Sequence, residues 1–226
     1  MTKALRPLVL VAPSGTGKTT VARALVERHP ERFAFSVSAT TRPPRSGEVD
    51  GIHYHFLDEA GFKALIDGGE LAEWAVVHGR LYGTPLASLD SRRLEGRTPV
   101  LDIDIQGASQ VVERIPGSVA IFLLPPGPDA WITRLVGRGT ETPVEVRTRL
   151  ETAMDELERA REFEEFVVND RLMETVESVV AVFSGKPSAG VSKLRAEGLC
   201  SELKRGARDW IRQTSPDPGT PDSTEM

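Results

Sequence analysis

The segment Ala12-Pro13-Ser14-Gly15-Thr16-Gly17-Lys18-Thr19-Thr20 combines a Gly-rich turn, one lysine and adjacent hydroxyl residues. Those groups suit a phosphate ester. At a helix N-terminus, backbone N–H groups converge on a single anion. Gly15 and Gly17 let the backbone approach closely. Lys18 can reach the β and γ phosphates of a nucleoside triphosphate, and the Thr19 hydroxyl can ligate Mg²⁺. Ala12 stands where the usual pattern has its first glycine. The segment alone could therefore also be a strand-to-helix turn with an exposed lysine. A second acidic signal is Leu101-Asp102-Ile103-Asp104. Asp102 suits the second shell of Mg²⁺, acting through water, because that ion keeps several of its waters. On its own it reads equally as a strand-end cap.

A phosphate loop needs a strand before it and a helix after it, and both are present. Leu8-Val9-Leu10-Val11-Ala12 is a short apolar run typical of a buried parallel strand. Val21, Ala22, Leu25 and Val26 then recur at helical spacing until Pro30. Further strand candidates are Phe33 to Val37, Val100 to Ile105, Val119 to Leu124 and Phe166 to Val168. Helical stretches separate most of them, which predicts an α/β sandwich around a parallel sheet. Residues 40 to 98 break the rhythm with Gly, Pro, Arg and aromatics, and read as an insertion of small antiparallel strands plus a helix near 58 to 67. Residues 143 to 165 read as one long helix, with Leu150, Met154, Leu157 and Ala160 along a face. Past Ser184 a linker leads to a short helix with a stripe of Leu199, Leu203, Ala207 and Trp210. The Pro, Ser, Thr and Asp-rich end from Thr214 is expected to be disordered.

The 226 residues carry a net charge of −5, which argues against a general nucleic-acid binder while allowing a local basic cleft. Cys200 is the single cysteine, so no intrachain disulfide can form; this fits a reducing, cytoplasmic setting. No hydrophobic run is long enough for a signal peptide or a membrane helix.

The run Ser36-Val37-Ser38-Ala39-Thr40-Thr41-Arg42-Pro43-Pro44-Arg45-Ser46-Gly47-Glu48-Val49-Asp50-Gly51 closely resembles the GMP-binding signature of guanylate kinases. The resemblance continues through Tyr54, Glu73-Trp74-Ala75, Tyr82-Gly83-Thr84, Leu101 to Gly107, Arg138 to Thr142 and Val168-Asn169-Asp170, and covers roughly residues 7 to 183. Members of that family can carry alanine at the position of Ala12. Leu81 departs from many relatives, which have a second tyrosine there.

The resemblance implies a P-loop NTPase-type three-layer α/β sandwich. Its core would be 7–38, 99–136 and 151–183, with a mixed α+β GMP-binding insertion at 39–98, a small lid at 137–150 and an extension at 184–226. It implies ATP with Mg²⁺ as the donor side, held by residues 12 to 20 and, at the adenine, by Asn169. It implies GMP, and dGMP, as acceptor. Arg42 and Arg45 with Tyr54 and Tyr82 would hold the GMP phosphate, since guanidinium forks and phenol hydroxyls suit a dianion. Glu73 would accept the adjacent N1–H and N2–H₂ donors of guanine, which adenine lacks. Ser38 and Thr84 would contact its O6 or N7 side, and Asp104 would assist from the sheet. Lys18, Arg42, Arg134, Arg138 and Arg149 would stabilise the transferred phosphoryl group, the last three from the lid. Taken singly, Arg42 and Arg45 could be a solvated loop pair, Glu73 a surface charge, and the lid arginines partners of Glu141, Glu145 and Glu151. The residue pattern leaves open a non-catalytic module of this fold or a kinase of a related acceptor, and does not choose between monomer and homodimer. The implied role is purine nucleotide metabolism and GMP recycling. His53, His55 and His78 are expected to be structural or surface residues.

Overall fold

The computed structural model describes residues 6–77, 79–90, 94–136, 142–186 and 189–214. The chain runs β1 (Leu8–Val11), α1 (Lys18–Arg28), β2 (Phe33–Phe35), β3 (Ala39–Thr40), β4 (His55–Phe56), α2 (Glu59–Asp67), β5 (Leu71–Val77), β6 (Arg80–Pro85), β7 (Thr98–Asp102), α3 (Ile105–Arg114), β8 (Val119–Leu124), α4 (Pro128–Val136), α5 (Pro143–Glu158), β9 (Glu165–Val168), α6 (Leu172–Phe183) and α7 (Lys193–Thr214).

Five strands form a parallel sheet in the order β2-β7-β1-β8-β9. Its strands are short apolar runs buried on both faces, as a parallel sheet between helices requires. Alternate residues of β1 divide the core. Leu8 and Leu10 join Val21 and Leu25 of α1 and Val176 and Val179 of α6. Val9 and Val11 join Trp131 of α4, Leu150 and Leu157 of α5, and Leu203 of α7. Because β1 is followed by strands on either side of it, its carboxyl end is a switch point in the strand order, where open sheets of this kind bind ligands. The loop 12–17 begins there.

The insertion builds a second, four-stranded sheet in the order β4-β3-β6-β5. Strands β5 and β6 pair antiparallel, as do β3 and β6, while β3 and β4 run parallel. Helix α2, capped by Asp58 accepting from the Gly61 N–H at 2.7 Å, packs Phe62 against Ala39 and Leu71.

Two elements differ from the sequence expectation. The long helix ends at Glu158 and passes through a 3₁₀ turn, Arg159–Glu162, before Phe163 becomes extended. That break lets the Phe163 ring reach Phe122, 5.3 Å between centroids, and frees the chain to start β9. The C-terminal helix is 22 residues long, and its buried line is Ala196, Cys200, Leu203 and Ala207, with Leu199 and Trp210 at the margin. It packs on both α4 and α5. The linker residues 187–188 and the end 215–226 lie outside the described residues. Among the described residues, no helix is long and apolar enough to cross a membrane.

Candidate active site

The loop between β1 and α1 borders a cavity of 590 Å³. Ala12, Pro13, Ser14, Gly15, Thr16, Gly17, Lys18, Thr19 and Thr20 all reach its wall. Gly17 caps α1 at φ 92°, and Gly15 has φ 81°, left-handed conformations that a side chain would strain. A methyl group at Gly15 would also come within 2.5 Å of the Leu135 side chain. Behind the loop, Asn169 is buried. Its Nδ2 donates to the Thr16 carbonyl at 2.7 Å, and its Oδ1 accepts from Thr175 at 3.1 Å. Its amide is thus a brace beneath the loop.

At the loop's far end three side chains meet. Lys18 Nζ lies 3.1 Å from Asp102 Oδ1 and donates to the Ile103 carbonyl. Thr19 Oγ1 donates to Asp102 Oδ2 at 2.6 Å. A hydroxyl and a carboxylate side by side at a phosphate loop are hard oxygen donors of the kind Mg²⁺ takes. The donor set therefore fits that ion.

A second cavity, 240 Å³, lies between this cluster and the insertion sheet. Lys18, Thr19 and Asp104 line both cavities, so the two open on one another at the lysine. Ser38, Tyr54, Glu73 and Tyr82 complete the second. Glu73 comes from β5 and is almost wholly buried, 2% exposed. Its Oε1 accepts from the Thr84 hydroxyl on β6 at 2.6 Å. Burial, more than any neighbour, pushes its carboxyl up to about 7; the Thr84 hydrogen bond opposes this and Asp104 adds to it. Gly107 makes room for the group, since a Cβ there would stand 2.4 Å from Glu73 Oε2. Asp104 sits past the sheet as the N-cap of α3, accepting from the Gly107 N–H at 2.8 Å. Tyr54 and Tyr82 meet edge to face at 6.0 Å, and burial raises the Tyr54 phenol above its ordinary range.

The arginines fall into two groups. In the insertion, Arg42 lies 2.9 Å from Glu48 and 5.5 Å above the Tyr54 ring. The other Glu48 oxygen accepts from the Arg45 N–H at 2.7 Å. Paired with Arg42, the Glu48 carboxyl is lowered to about 2. Sequence reasoning gave Glu48 no role, although its place just after Arg42 and Arg45 in a Gly-containing turn was visible. Arg134 and Arg149 reach the loop cavity from α4 and α5. Arg134 donates to the carbonyls of Asn169 at 3.0 Å and Thr16 at 3.4 Å, and Arg149 to that of Leu135 at 3.2 Å. Of the suggested acidic partners, Glu141 lies outside the described residues and the other two have partners of their own. Glu145 closes a capping box with Thr142, and Glu151 pairs with Arg147 at 2.9 Å. Arg138 and His78 lie outside the described residues. His53 is used within its own turn, its Nδ1 accepting from the Val49 N–H at 3.0 Å. Two further residues that the sequence did not single out, Trp131 and Glu156, touch the loop directly.

A parallel sheet with this strand order, a Gly-rich loop after its central strand and a lysine–carboxylate cluster at the switch point define a P-loop nucleotide-binding core. The family model for guanylate kinase matches residues 4–186. A curated guanylate kinase from Nocardia farcinica is 47% identical over 180 residues, 79% of this chain and 93% of the relative. One from Oleidesulfovibrio alaskensis is 47% identical over 203 residues, 90% of this chain and 95% of the relative. The crystal structure of guanylate kinase from Anaplasma phagocytophilum superposes with a TM-score of 0.62 at 32% identity, covering 81% of this chain and 87% of that one. The chain belongs to the guanylate kinase family.

Proposed function

We propose that this protein transfers the terminal phosphoryl group of ATP to GMP, and to dGMP, yielding ADP and GDP or dGDP. The observation that carries the reading is the meeting of two cavities at Lys18, one floored by the phosphate loop and the other ended by a buried carboxylate. ATP would lie on loop residues 12 to 20, with Lys18 against the β and γ phosphates. GMP would place guanine at Glu73 and Thr84 and its phosphate between Tyr54, Tyr82, Arg42 and Arg45. Glu73 would accept from N1–H and N2–H₂, which requires the ionised form.

The attacking atom is a phosphate oxygen of GMP, already largely deprotonated at neutral pH because that proton has a pKa of about 6. No protein base is needed, so the work of the chain is position and compensating charge. Lys18 holds positive charge where the transferred group passes. Arg134 and Arg149 bring more from the loop cavity, and Arg138 follows α4 by two residues. Thr19 and Asp102 would hold Mg²⁺, Asp102 through water. When bound, the ion would supply positive charge that offsets the negative charge of the transferred phosphates.

A coupled assay of ADP release with GMP, dGMP, AMP, CMP and UMP tests the reading. Turnover with the two guanine nucleotides alone is expected. Turnover with none of the five, or equal rates with AMP, would overturn it. A cytoplasmic location accords with this role and is tested by cell fractionation.

A further inference from the structure

A loop that aims N–H groups at an anion turns carbonyls the other way, and each such carbonyl needs a donor. Here two of the donors come from one face of α4, beside Asn169 from the end of β9. The wholly buried Trp131 donates its Nε1–H to the Ser14 carbonyl at 2.8 Å. Arg134, three residues on, reaches the Thr16 carbonyl. Leu135, four residues on, packs where a side chain at Gly15 would have to go. Positions 131, 134 and 135 share a face of the helix, and that face is shaped to the loop.

The other backbone group of the same residue, in the preceding peptide unit, is also held. The Ser14 N–H donates to Glu156 Oε2 at 2.8 Å, from α5. A carboxylate beside a loop that takes a polyanion is electrostatically adverse to that anion, so the contact needs another reason. Its partner supplies one. Trp131 and Glu156 pin Ser14 from the two helices that carry Arg134 and Arg149, seven residues apart from Glu156 in the second case. Arg149 in turn ties α5 to the Leu135 carbonyl at the end of α4.

We propose that Trp131 and Glu156 are positioning residues for phosphoryl transfer. Gripping the Ser14 backbone from both sides, they fix the shape of the phosphate loop and its register against Arg134 and Arg149. The proposal rests on the ATP-dependent transfer described above.

The test is steady-state kinetics of the full chain with each substrate varied, alongside thermal melts, for Trp131→Phe, Glu156→Leu, Glu156→Gln and the double variant Trp131→Phe/Glu156→Leu. Phenylalanine keeps most of the apolar volume and loses the donor. Leucine loses the acceptor, whereas glutamine keeps it without charge. Trp131→Phe and Glu156→Leu should each lower kcat/KM for ATP about 10-fold, the effect of orphaning one backbone group, with KM for GMP within about twofold. Glu156→Gln should restore the value to wild type. The double variant should lose less than the product of the single losses, because both changes act on the backbone of one residue. A packing role alone would lower the melting temperature, leave kcat/KM for ATP unchanged per folded molecule and show no rescue by glutamine; that result overturns the proposal. If Trp131→Phe does not fold, the Glu156→Leu and Glu156→Gln pair decides it. A wild-type protein that transfers no phosphoryl group refutes the enzymatic reading instead, so the two failures are distinct.

Discussion

The cavity over the phosphate loop is walled by backbone that the core braces from behind, whereas the cavity under β5 and β6 is walled by side chains on a small mixed sheet. In the first, the anion-binding groups are main-chain donors whose carbonyls are held by Trp131 and Asn169. Main-chain donors carry no preference for one nucleoside, and carbonyls that are hydrogen-bonded are not costly to bury. In the second, the decisive group is a carboxylate kept out of water with one hydroxyl for company. A carboxylate held out of water destabilises the empty protein, and a ligand whose edge offers it no donors would bind poorly. Under the proposed function, general affinity and discrimination fall to separate regions with opposite energetics.

The contrast can be broken most severely at the shared lysine. Lys18→Met should lower kcat by about 10³-fold or more, the size seen when a preorganised charge at a transition state is removed, with an unchanged far-UV spectrum. Turnover within tenfold of wild type would separate the loop from catalysis. Next comes Glu73→Gln. It presents an N–H₂ to guanine donors, so KM for GMP should rise about 100-fold with KM for ATP little changed. The same variant should be the more stable protein. Burial lifts the Glu73 carboxyl from 4.5 to about 7, so the folded state binds its proton more tightly than the unfolded chain does. Stability from this group is present at low pH and is lost as pH rises through that interval. At pH 8, urea unfolding should favour Glu73→Gln by about 2 kcal/mol, with the gap closing by about pH 4. Equal stability at both pH values would mean that burial costs this carboxylate nothing.

Gly107→Ala should have an intermediate effect. Its Cβ would displace Glu73 Oε2 without touching the phosphate loop, raising KM for GMP about 10-fold and leaving ATP binding by calorimetry as it was. The mildest test needs no mutation. In the wild type, log kcat/KM for GMP should bend downward below about pH 7, as Glu73 takes up a proton and ceases to accept from guanine. Protonation of the GMP phosphate adds a second bend near pH 6. Glu73→Gln should keep the lower bend and lose the upper one.

Much of this was readable from the chain because the informative groups are neighbours in sequence. The phosphate loop and the Arg42 to Gly51 turn are contiguous, and the alternation of apolar runs with helical periods specified the sandwich. What escaped the reading depends on groups brought together by folding. Trp131 was not singled out, because its indole N–H finds Ser14 from 117 positions away. Gly107 is informative only once Glu73 is placed above it. Asp104, expected on the sheet, sits two residues past β7 as a helix cap, which its spacing from Gly107 allowed but did not require. On α7 the expected stripe of Leu199, Leu203, Ala207 and Trp210 shares Leu203 and Ala207 with the buried line, which also contains Ala196 and Cys200, while Leu199 and Trp210 lie at its margin. Close helix packing favours small residues at its centre: a Cβ on Gly206 would stand 2.3 Å from Pro128.

That helix has a consequence for how the molecule is made. Ala196, Cys200, Leu203 and Ala207 belong to the same core as Val9, Leu101 and Trp131, yet they follow the family-matched region that ends at residue 186. As the chain leaves the ribosome, the phosphate loop emerges early, while the apolar backs of α4 and α5 stay uncovered until α7 arrives. A nascent chain halted near residue 186 would contain every residue assigned to catalysis and still present an open hydrophobic seam, the kind of surface on which chaperones and aggregation compete.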